Sequence, residues 1–321
     1  MQTVLVGAVE SSAATLEALV RHAVPPAAVF TLPLSLAHRH SDFVDLRPIA
    51  AQFGVPVVEV RNVNDPESLA RLRDLQPRHV FVVGWSQICR REFLETPSHG
   101  AIGFHPALLP ADRGRAVIPW TILKRRTETG TTLFWMDEGM DSGDIIRQVR
   151  VEVARDETAA TLYAKHIDAL RRMLDVVIPQ LRHDEAPHIK QDHSRATYCA
   201  KRTPADGLID WRASADDVWT HIRAVGDPYP GAFTFSQGRK LFVWEADYVG
   251  EAPYVGLPGQ AQKISEDGAL MQCGDGKHVL LRTVQLEGEE RTSPKGVIRN
   301  HACLGIDWVE IIESLKGKEG A

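Results

Sequence analysis

Residues 79–84 read His-Val-Phe-Val-Val-Gly, an almost continuous apolar run that a glycine closes. A run of this kind is typical of a parallel strand that is buried on both faces, because helices cover both sides of such a sheet. Similar strand signals occur at residues 4–7, 27–30 and 55–60, and residues 66–75 have a helical pattern. Strands that alternate with helices predict a doubly wound α/β sheet.

The alternation continues toward the carboxyl terminus. Residues 100–105, 131–136 and 145–153 predict three more strands, and residues 157–182 predict one long amphipathic helix because their apolar side chains recur at helical spacing. The polar stretch that begins at His183 has the composition of a connection between domains. We therefore place a first, Rossmann-like domain at residues 1–184, a linker at 185–210 and a second domain at 211–321.

The second domain has short strand signals separated by turns. The turns contain Gly238, Gly268 and Gly276, each preceded by Gln or Asp, which is a composition that hairpins favour. This pattern predicts a small antiparallel barrel or sandwich after a helix at residues 213–225. The predicted strands are residues 232–235, 241–244, 269–272 and 278–281.

Composition narrows the class of protein. The 321 residues include 37 Lys and Arg and 42 Asp and Glu, so the net charge of −5 gives no general attraction to nucleic acid or to an acidic membrane. Four scattered cysteines with no C-x-x-C pair argue against a zinc site or a disulfide scaffold and suit a reducing compartment. With no signal-peptide pattern and no apolar run of membrane-spanning length, we expect a cytoplasmic protein without a metal.

The residues suited to catalysis lie near His105 and in the loop 137–144. His105 ends a predicted strand, and ligands in open α/β sheets bind at the carboxyl ends of strands. An imidazole beside a carboxylate has a fixed tautomer and a tuned basicity. Taken singly, these features have simpler interpretations: a histidine satisfied by backbone, an Asp-Gly turn, and solvated side chains at Arg113 and Arg115.

Taken together and in order, the motifs of this region resemble the folate-dependent formyltransferase superfamily, which includes methionyl-tRNA and amino-sugar formyltransferases. The resemblance covers nearly the whole chain, since it continues at residues 201–211 and 227–232. The motifs are H-P-x-L-L-P from residue 105, R-G-R-x-x-x-P-W from residue 113, T-G-T-T from residue 129 and D-E-G-x-D-S-G-D-I-I from residue 137.

The resemblance implies an enzyme that transfers a formyl group from N10-formyltetrahydrofolate to a small-molecule amine. It also implies a C-terminal barrel resembling an oligonucleotide-binding fold. In the family an Asn-x-His pair and an aspartate serve the tetrahedral intermediate. The histidine corresponds to His105 and the aspartate to Asp141, whereas the asparagine position holds Gly103, a departure from the pattern.

The resemblance also assigns binding residues. One of them, Trp85, could equally be an ordinary residue of the hydrophobic core. The implied folate contacts are Trp85, Ser86, Gln87 and Ile88, with the backbone of Asp137, Glu138, Gly139 and Met140. The implied acceptor-side residues are Pro106, Leu109, Pro110, Arg113, Gly114 and Arg115.

Gly103 raises the question of what replaces the family's amide donor. Loss of one such donor typically costs roughly 10²–10³-fold in kcat when nothing replaces it. We expect compensation, either by a donor from Ser86 or Gln87 or by closer approach of the acceptor to the Gly103 backbone. The alternative is an impaired site.

Three functions remain open, of which formylation of a nucleotide-linked amino sugar is favoured. Methionyl-tRNA formyltransferases usually carry a basic loop after the second strand, but residues 31–43 contain one Arg and no Lys. Because tRNA binding needs several phosphate contacts, this segment argues against tRNA. The third possibility is a non-catalytic folate-binding relative. In it, residues 124–126, Lys-Arg-Arg, would bind a partner, although a solvated helix end is the favoured interpretation of these residues.

Overall fold

The computed structural model describes residues 1–306, which form two compact units. The first unit contains residues 1–155 and 161–201, and the second contains residues 156–160 and the chain from 202 onward. Among the described residues, no helix is both long enough and apolar enough to cross a membrane.

The first unit is built around one seven-stranded sheet. Its strands are β1 Thr3–Val6, β2 Ala28–Thr31, β3 Val57–Glu59, β4 His79–Val82, β5 Ala101–His105, β7 Glu128–Trp135 and β8 Ile145–Glu152, and a separate two-stranded pair joins β6 Arg113–Gly114 to β9 Tyr198–Cys199. Its helices are α1 Glu10–Arg21, α2 Arg47–Gln52, α3 Pro66–Asp74, α4 Arg91–Leu94, α5 Val117–Leu123 and α6 Ala159–Arg182, with short 3-10 turns at Leu34–Arg39 and His193–Arg195.

The strand order in the large sheet is β3-β2-β1-β4-β5-β7-β8. The first five strands of this order run parallel, whereas β7 is antiparallel to β5 and β8 is antiparallel to β7. The chain therefore moves outward from β1 in both directions, as the doubly wound prediction requires. The Rossmann-like fold class is confirmed, with two antiparallel strands added at one edge.

Apolar side chains pack on both faces of this sheet. On one face Leu5 and Phe81 pack with Leu16 of α1 and Leu174 of α6, all fully buried. On the other face the core includes Leu72 of α3 and residues of β1 and β4. Because both faces are covered, the central strands are apolar along their whole length, which is the pattern that the sequence shows at residues 79–84.

The second unit contains a five-stranded antiparallel sheet in the order β10-β11-β14-β13-β12. A separate antiparallel sheet in this half of the chain confirms the prediction, while its closure into an oligonucleotide-binding type of barrel stays a prediction. Its elements are a 3-10 turn Pro204–Gly207, α7 Ala215–Val225, β10 Ala232–Ser236, β11 Arg239–Gly250, β12 Ala261–Ser265, β13 Gly268–Gln272 and β14 His278–Leu286.

Element boundaries differ from the sequence prediction in two places of this unit. Strand β11 extends far beyond the apolar residues 241–244, because its pairing with β14 continues through register shifts near Glu245 and Tyr248. Strand β12 was not predicted. Its sequence, Ala-Gln-Lys-Ile-Ser, has little apolar alternation, and the strand forms at the edge of the sheet by pairing with β13.

Candidate active site

His105 is the last residue of β5 and is buried, with 5% of its surface exposed. Its ring nitrogen Nε2 lies 2.7 Å from the carbonyl oxygen of Asp112. Its other ring nitrogen, Nδ1, lies 3.7 Å from Oδ2 of Asp141. The ring therefore has the backbone partner that a structural histidine would have, and it also faces the carboxylate that the resemblance assigns to catalysis.

The loop that carries Asp141 reaches His105 by a route that the sequence did not indicate. The loop follows β7, the strand that pairs with β5. Because β7 is antiparallel to β5, Trp135 pairs with Ile102, and the next amide, that of Met136, donates to the carbonyl of Ala101. The loop therefore begins beside the amino-terminal end of β5 and comes back to His105 along its own length.

Two contacts hold Asp141 in place. Its Oδ2 accepts a hydrogen bond from the Gly114 amide at 2.8 Å. The side-chain amide of Gln191 donates to the carbonyls of Asp141 and Gly143, at 2.8 and 2.7 Å. Asp141 has a φ of +51°, and aspartate is one of the few non-glycine residues that adopt this conformation readily. The carboxylate is thus fixed by its neighbours before any ligand binds.

Gln191 is a site residue that the sequence analysis missed. It is 6% exposed, and its Oε1 accepts from Nη2 of Arg113 at 2.6 Å. It lies in the polar stretch that we interpreted as a linker, and no motif marks it. Gln191 contacts Asp141, which lies 50 residues earlier in the sequence, and only folding brings the two residues together.

Arg113 is directed into the protein. It is 3% exposed, and its Nη2 also lies 3.0 Å from Nδ1 of His193. Leu109, another predicted acceptor-side residue, is 3% exposed and packs against Phe134 and Ile145. The contact of Arg113 and Leu109 with an acceptor stays a prediction, since in this structure both stabilise the walls of the site.

The other predicted acceptor-side residues are more accessible. Pro106, Pro110 and Gly114 are half-buried, and Arg115 is exposed. The Arg115 guanidinium donates to the carbonyl of Ser86. This hydrogen bond joins the loop after β5 to the loop after β4, so the structure brings the predicted folate and acceptor segments together.

A cavity of about 260 Å³ lies at the carboxyl ends of β2 and β4. Its lining is Leu32, His40, Trp85, Ser86 and Gln87, and the last three belong to the predicted folate segment. The Trp85 indole nitrogen is buried and has no hydrogen-bond acceptor among residues 1–306. Buried donors without a partner are rare in folded proteins.

Two side chains of the cavity already have protein partners. The Gln87 side chain accepts from the amide of Val63 at 3.1 Å and donates to the carbonyl of Arg61 at 2.7 Å. The Ser86 hydroxyl lies 3.0 Å from Nε2 of His40. His40 belongs to the segment that we weighed only as a possible tRNA loop, and the structure instead places it in the cavity wall.

The other predicted folate contacts lie at the surface. Ile88 is 72% exposed and Met140 is 56% exposed. The Asp137 side chain accepts from the Gly139 amide at 3.1 Å, which shapes the turn, and the neighbouring Glu138 carboxylate is exposed. These residues do not line the cavity, and their role in folate binding stays a prediction.

The space beside Gly103 is filled by an aromatic ring. A Cβ atom built on Gly103 would lie 2.6 Å from Cζ of Phe134 and 3.1 Å from Cγ of Met136. Phe134 is opposite Gly103 in the β5–β7 pairing and is 4% exposed. Phe134 and Met136 therefore fill the space of the missing side chain, so an acceptor has no room to approach through it, while compensation by Ser86 or Gln87 stays a prediction.

This packing predicts that Gly103→Asn destabilises the protein. The added side chain must displace Phe134 from a packed position, and overpacking of this kind typically costs about 1–3 kcal/mol. Urea titration should show this loss in the free energy of unfolding. In the double variant Gly103→Asn/Phe134→Leu, we expect less destabilisation than the sum of the single variants, by about 0.5 kcal/mol or more. Additive losses would contradict the steric explanation.

Among residues 1–306 no group of three His, Cys, Asp or Glu side chains is placed to hold a metal ion.

Residues 8–178 match the family model described as formyl transferase, and residues 201–302 match the model described as formyl transferase, C-terminal domain. The first match alone spans more than half of the chain.

Solved structures with the same fold have low sequence identity to this chain. HypX from Aquifex aeolicus, in complex with tetrahydrofolic acid, is 15% identical with a TM-score of 0.66, over 92% of this chain and 46% of HypX. This chain thus spans about half of the HypX length. WlaRD, a sugar 3N-formyltransferase with dTDP and 5-N-formyl-THF, is 15% identical with a TM-score of 0.64, over 90% of this chain and 99% of WlaRD.

An N-formyltransferase from Helicobacter canadensis, in complex with folinic acid and dTDP-3-aminofucose, is 17% identical to this chain. Its TM-score is 0.64, and the match covers 88% of this chain and 98% of that protein. At these identities the likeness shows a common fold.

Proposed function

The chain belongs to the formyl transferase family, and from this premise we propose that it transfers a formyl group from N10-formyltetrahydrofolate to a primary amine on a nucleotide-linked amino sugar. The observation that carries this proposal is the pairing of His105 with Asp141 at 3.7 Å. The pair lies beside the loop 113–115, which Arg115 joins to the wall of the cavity.

The cavity residues fit part of a folate. Ligand pockets usually measure about 300–1,000 Å³, so a cavity of about 260 Å³ suits one ring system of such a ligand. Leu32 and Trp85 offer apolar surface, and Ser86 and His40 offer polar atoms. A planar heterocycle with ring nitrogens or a carbonyl would match both features.

The mechanism follows from what the residues of this chain can do. Bound N10-formyltetrahydrofolate supplies an acyl group on a weakly basic aniline nitrogen, so no covalent nucleophile of the protein is needed. The chain must hold the two reactants together, receive a proton from the attacking amine and stabilise the negative charge that develops on oxygen. A proton must also reach N10 as the bond between the formyl carbon and N10 breaks and tetrahydrofolate leaves. A protonated His105 can donate to that oxygen, while Asp141 orients the ring and exchanges protons through water.

The Phe134 ring beside Gly103 affects this scheme. An amide side chain at residue 103 is sterically excluded, so His105 is the side-chain donor that remains from the family's Asn-x-His pair. The burial of His105 favours this role, because hydrogen bonds to a developing charge are stronger away from bulk water. The Asn-x-His positions of the proposed enzyme thus provide one side-chain donor where the family pattern has two.

Two observations favour a nucleotide-linked sugar as the acceptor. WlaRD and the Helicobacter canadensis protein, which share this fold over nearly their whole length, were solved with dTDP and with a dTDP-aminosugar. The segment 31–43 of this chain contains a single Arg and no Lys, and its His40 faces the cavity. Without further cations, this segment has little to offer the phosphates of a tRNA stem.

An acceptor screen tests the proposal. The purified protein and N10-formyltetrahydrofolate are incubated with a set of nucleotide-linked amino sugars or with charged initiator tRNA, and mass spectrometry detects the gain of a formyl group. We expect the highest kcat/KM with one of the sugars. A far higher kcat/KM with methionyl-tRNA would overturn the acceptor assignment, and saturable folate binding without turnover on any amine would favour a non-catalytic relative.

A further inference from the structure

The partner of the buried His105 nitrogen is the carbonyl oxygen of Asp112, a residue outside the family motifs that the sequence analysis identified. A carbonyl oxygen can only accept, so Nε2 of His105 carries a hydrogen in both the neutral and the charged ring. The proton that His105 gains and loses is therefore the one on Nδ1, the nitrogen that faces Asp141. The Asp112 carbonyl thus selects the tautomer of the ring.

Asp112 holds this carbonyl in the left-handed backbone conformation. Its φ is +55°, which aspartate adopts more readily than most non-glycine residues do. Its amide donates to Oγ1 of Thr197 at 2.8 Å, and its carboxylate accepts from the same hydroxyl at 3.3 Å. The turn is therefore anchored to the strand pair of β6 and β9.

The strongest anchor of Asp112 is Lys124, which follows α5. Lys124 Nζ lies 2.8 Å from Oδ1 of Asp112, whose side chain is 13% exposed. Burial acts to raise the pKa of the Asp112 carboxyl, but the hydrogen bond and charge of Lys124 outweigh it, so the pKa lies below its usual range. The carboxylate consequently stays ionised and paired, and its position determines where the Asp112 carbonyl points.

We propose that Lys124 is a positioning residue for His105. Lys124 contacts no reacting atom and acts through Asp112. The ion pair between Lys124 and Asp112 fixes the turn, and the turn directs the Asp112 carbonyl to Nε2 of His105. Because Nε2 is engaged by this hydrogen bond, Nδ1 is the nitrogen that exchanges the proton. The effect on turnover rests on the proposed formyl transfer, whereas the effect on the His105 tautomer does not.

Lys124→Met tests this inference, because methionine keeps most of the side-chain length and removes the charge. A misplacement of about 1 Å near a reacting group can cost up to 10²-fold, so we expect kcat to fall by roughly 10- to 100-fold with the KM for formylfolate nearly unchanged. Lys124→Arg keeps the charge and should recover most of the rate. Lys165→Met, an exposed lysine of α6, is the matched control and should leave kcat unchanged.

A second measurement does not depend on turnover. Ring ¹⁵N shifts of His105, assigned by comparison with His105→Ala, should show Nε2 protonated at every pH in the parent protein. In Lys124→Met we expect a detectable fraction protonated at Nδ1 instead. If Lys124→Met folds poorly, Thr197→Val, which removes the other anchor of Asp112, should produce the same change in the ¹⁵N shifts.

The outcomes separate the two proposals. An altered tautomer in a protein that formylates no amine supports the positioning role and contradicts the proposed function. Parental ¹⁵N shifts and parental kcat in Lys124→Met overturn the positioning role, even if formyl transfer is demonstrated. A loss of kcat with parental ¹⁵N shifts also overturns it, since a general loss of stability would then explain the rate.

Discussion

His105→Ala is expected to lower kcat for formyl transfer by about 10²–10⁴-fold, the usual contribution of a general acid or base. The effect is placed at the upper end of this range because Phe134 excludes a second side-chain donor at residue 103. Steady-state kinetics with the acceptor identified by mass spectrometry measures the loss. Calorimetry with a stable formylfolate analogue should show nearly parental binding, since His105 does not line the cavity.

The control for this variant is His183→Ala, an exposed histidine after α6, which should keep the parental kcat. Removal of the His105 ring leaves the buried Asp112 carbonyl without a donor, which typically costs about 1–3 kcal/mol of stability, so thermal unfolding must confirm that the variant is folded at the assay temperature. A folded His105→Ala protein with nearly parental kcat would show that His105 is not the catalytic residue.

Asp141→Asn is the second variant with a large expected effect, a loss of about 10²-fold or more in kcat. Asparagine has the same shape, adopts the same positive φ, and can still accept the Gly114 amide hydrogen bond through its Oδ1. The loop therefore keeps its position, while the negative charge that faces His105 is lost. The loss of rate then measures the charge rather than the fold of the loop.

Glu17→Gln, which removes a partly exposed carboxylate on α1, is the matched control for charge and should leave kcat unchanged. If Asp141→Asn retains nearly parental kcat, proton transfer does not pass through this pair.

The sequence determined the class of fold because the relevant signals are local. The run at residues 79–84 is apolar after His79, and only a strand covered on both faces can bury all of these side chains. The predicted helix at 157–182 corresponds closely to α6, Ala159–Arg182, because its apolar spacing extends over many turns. Edge strands such as β12 have no such periodicity, since pairing with a neighbour stabilises them.

The sequence also identified His105 and Asp141, because short ordered motifs carry the resemblance to the family. Their contact depended on the tertiary structure, since the loop with Asp141 starts beside the other end of β5 and returns to His105 through contacts with Gln191 and Gly114. The surroundings of Gly103 also depended on the tertiary structure. The sequence shows that the amide is missing, and only the tertiary structure shows that the Phe134 ring fills its place.

What the sequence by itself determined is therefore the doubly wound first domain, the antiparallel second domain and the residue types of the candidate pair, His105 and Asp141. The tertiary structure decided the surroundings of that pair: Gln191 on the Asp141 loop, His40 in the cavity wall, and Lys124 holding Asp112 against His105. The physical reason is the range of the interactions. Periodicity and motifs lie within a few neighbouring residues, whereas these hydrogen bonds and ion pairs join side chains that become neighbours only when the sheet and its loops have formed.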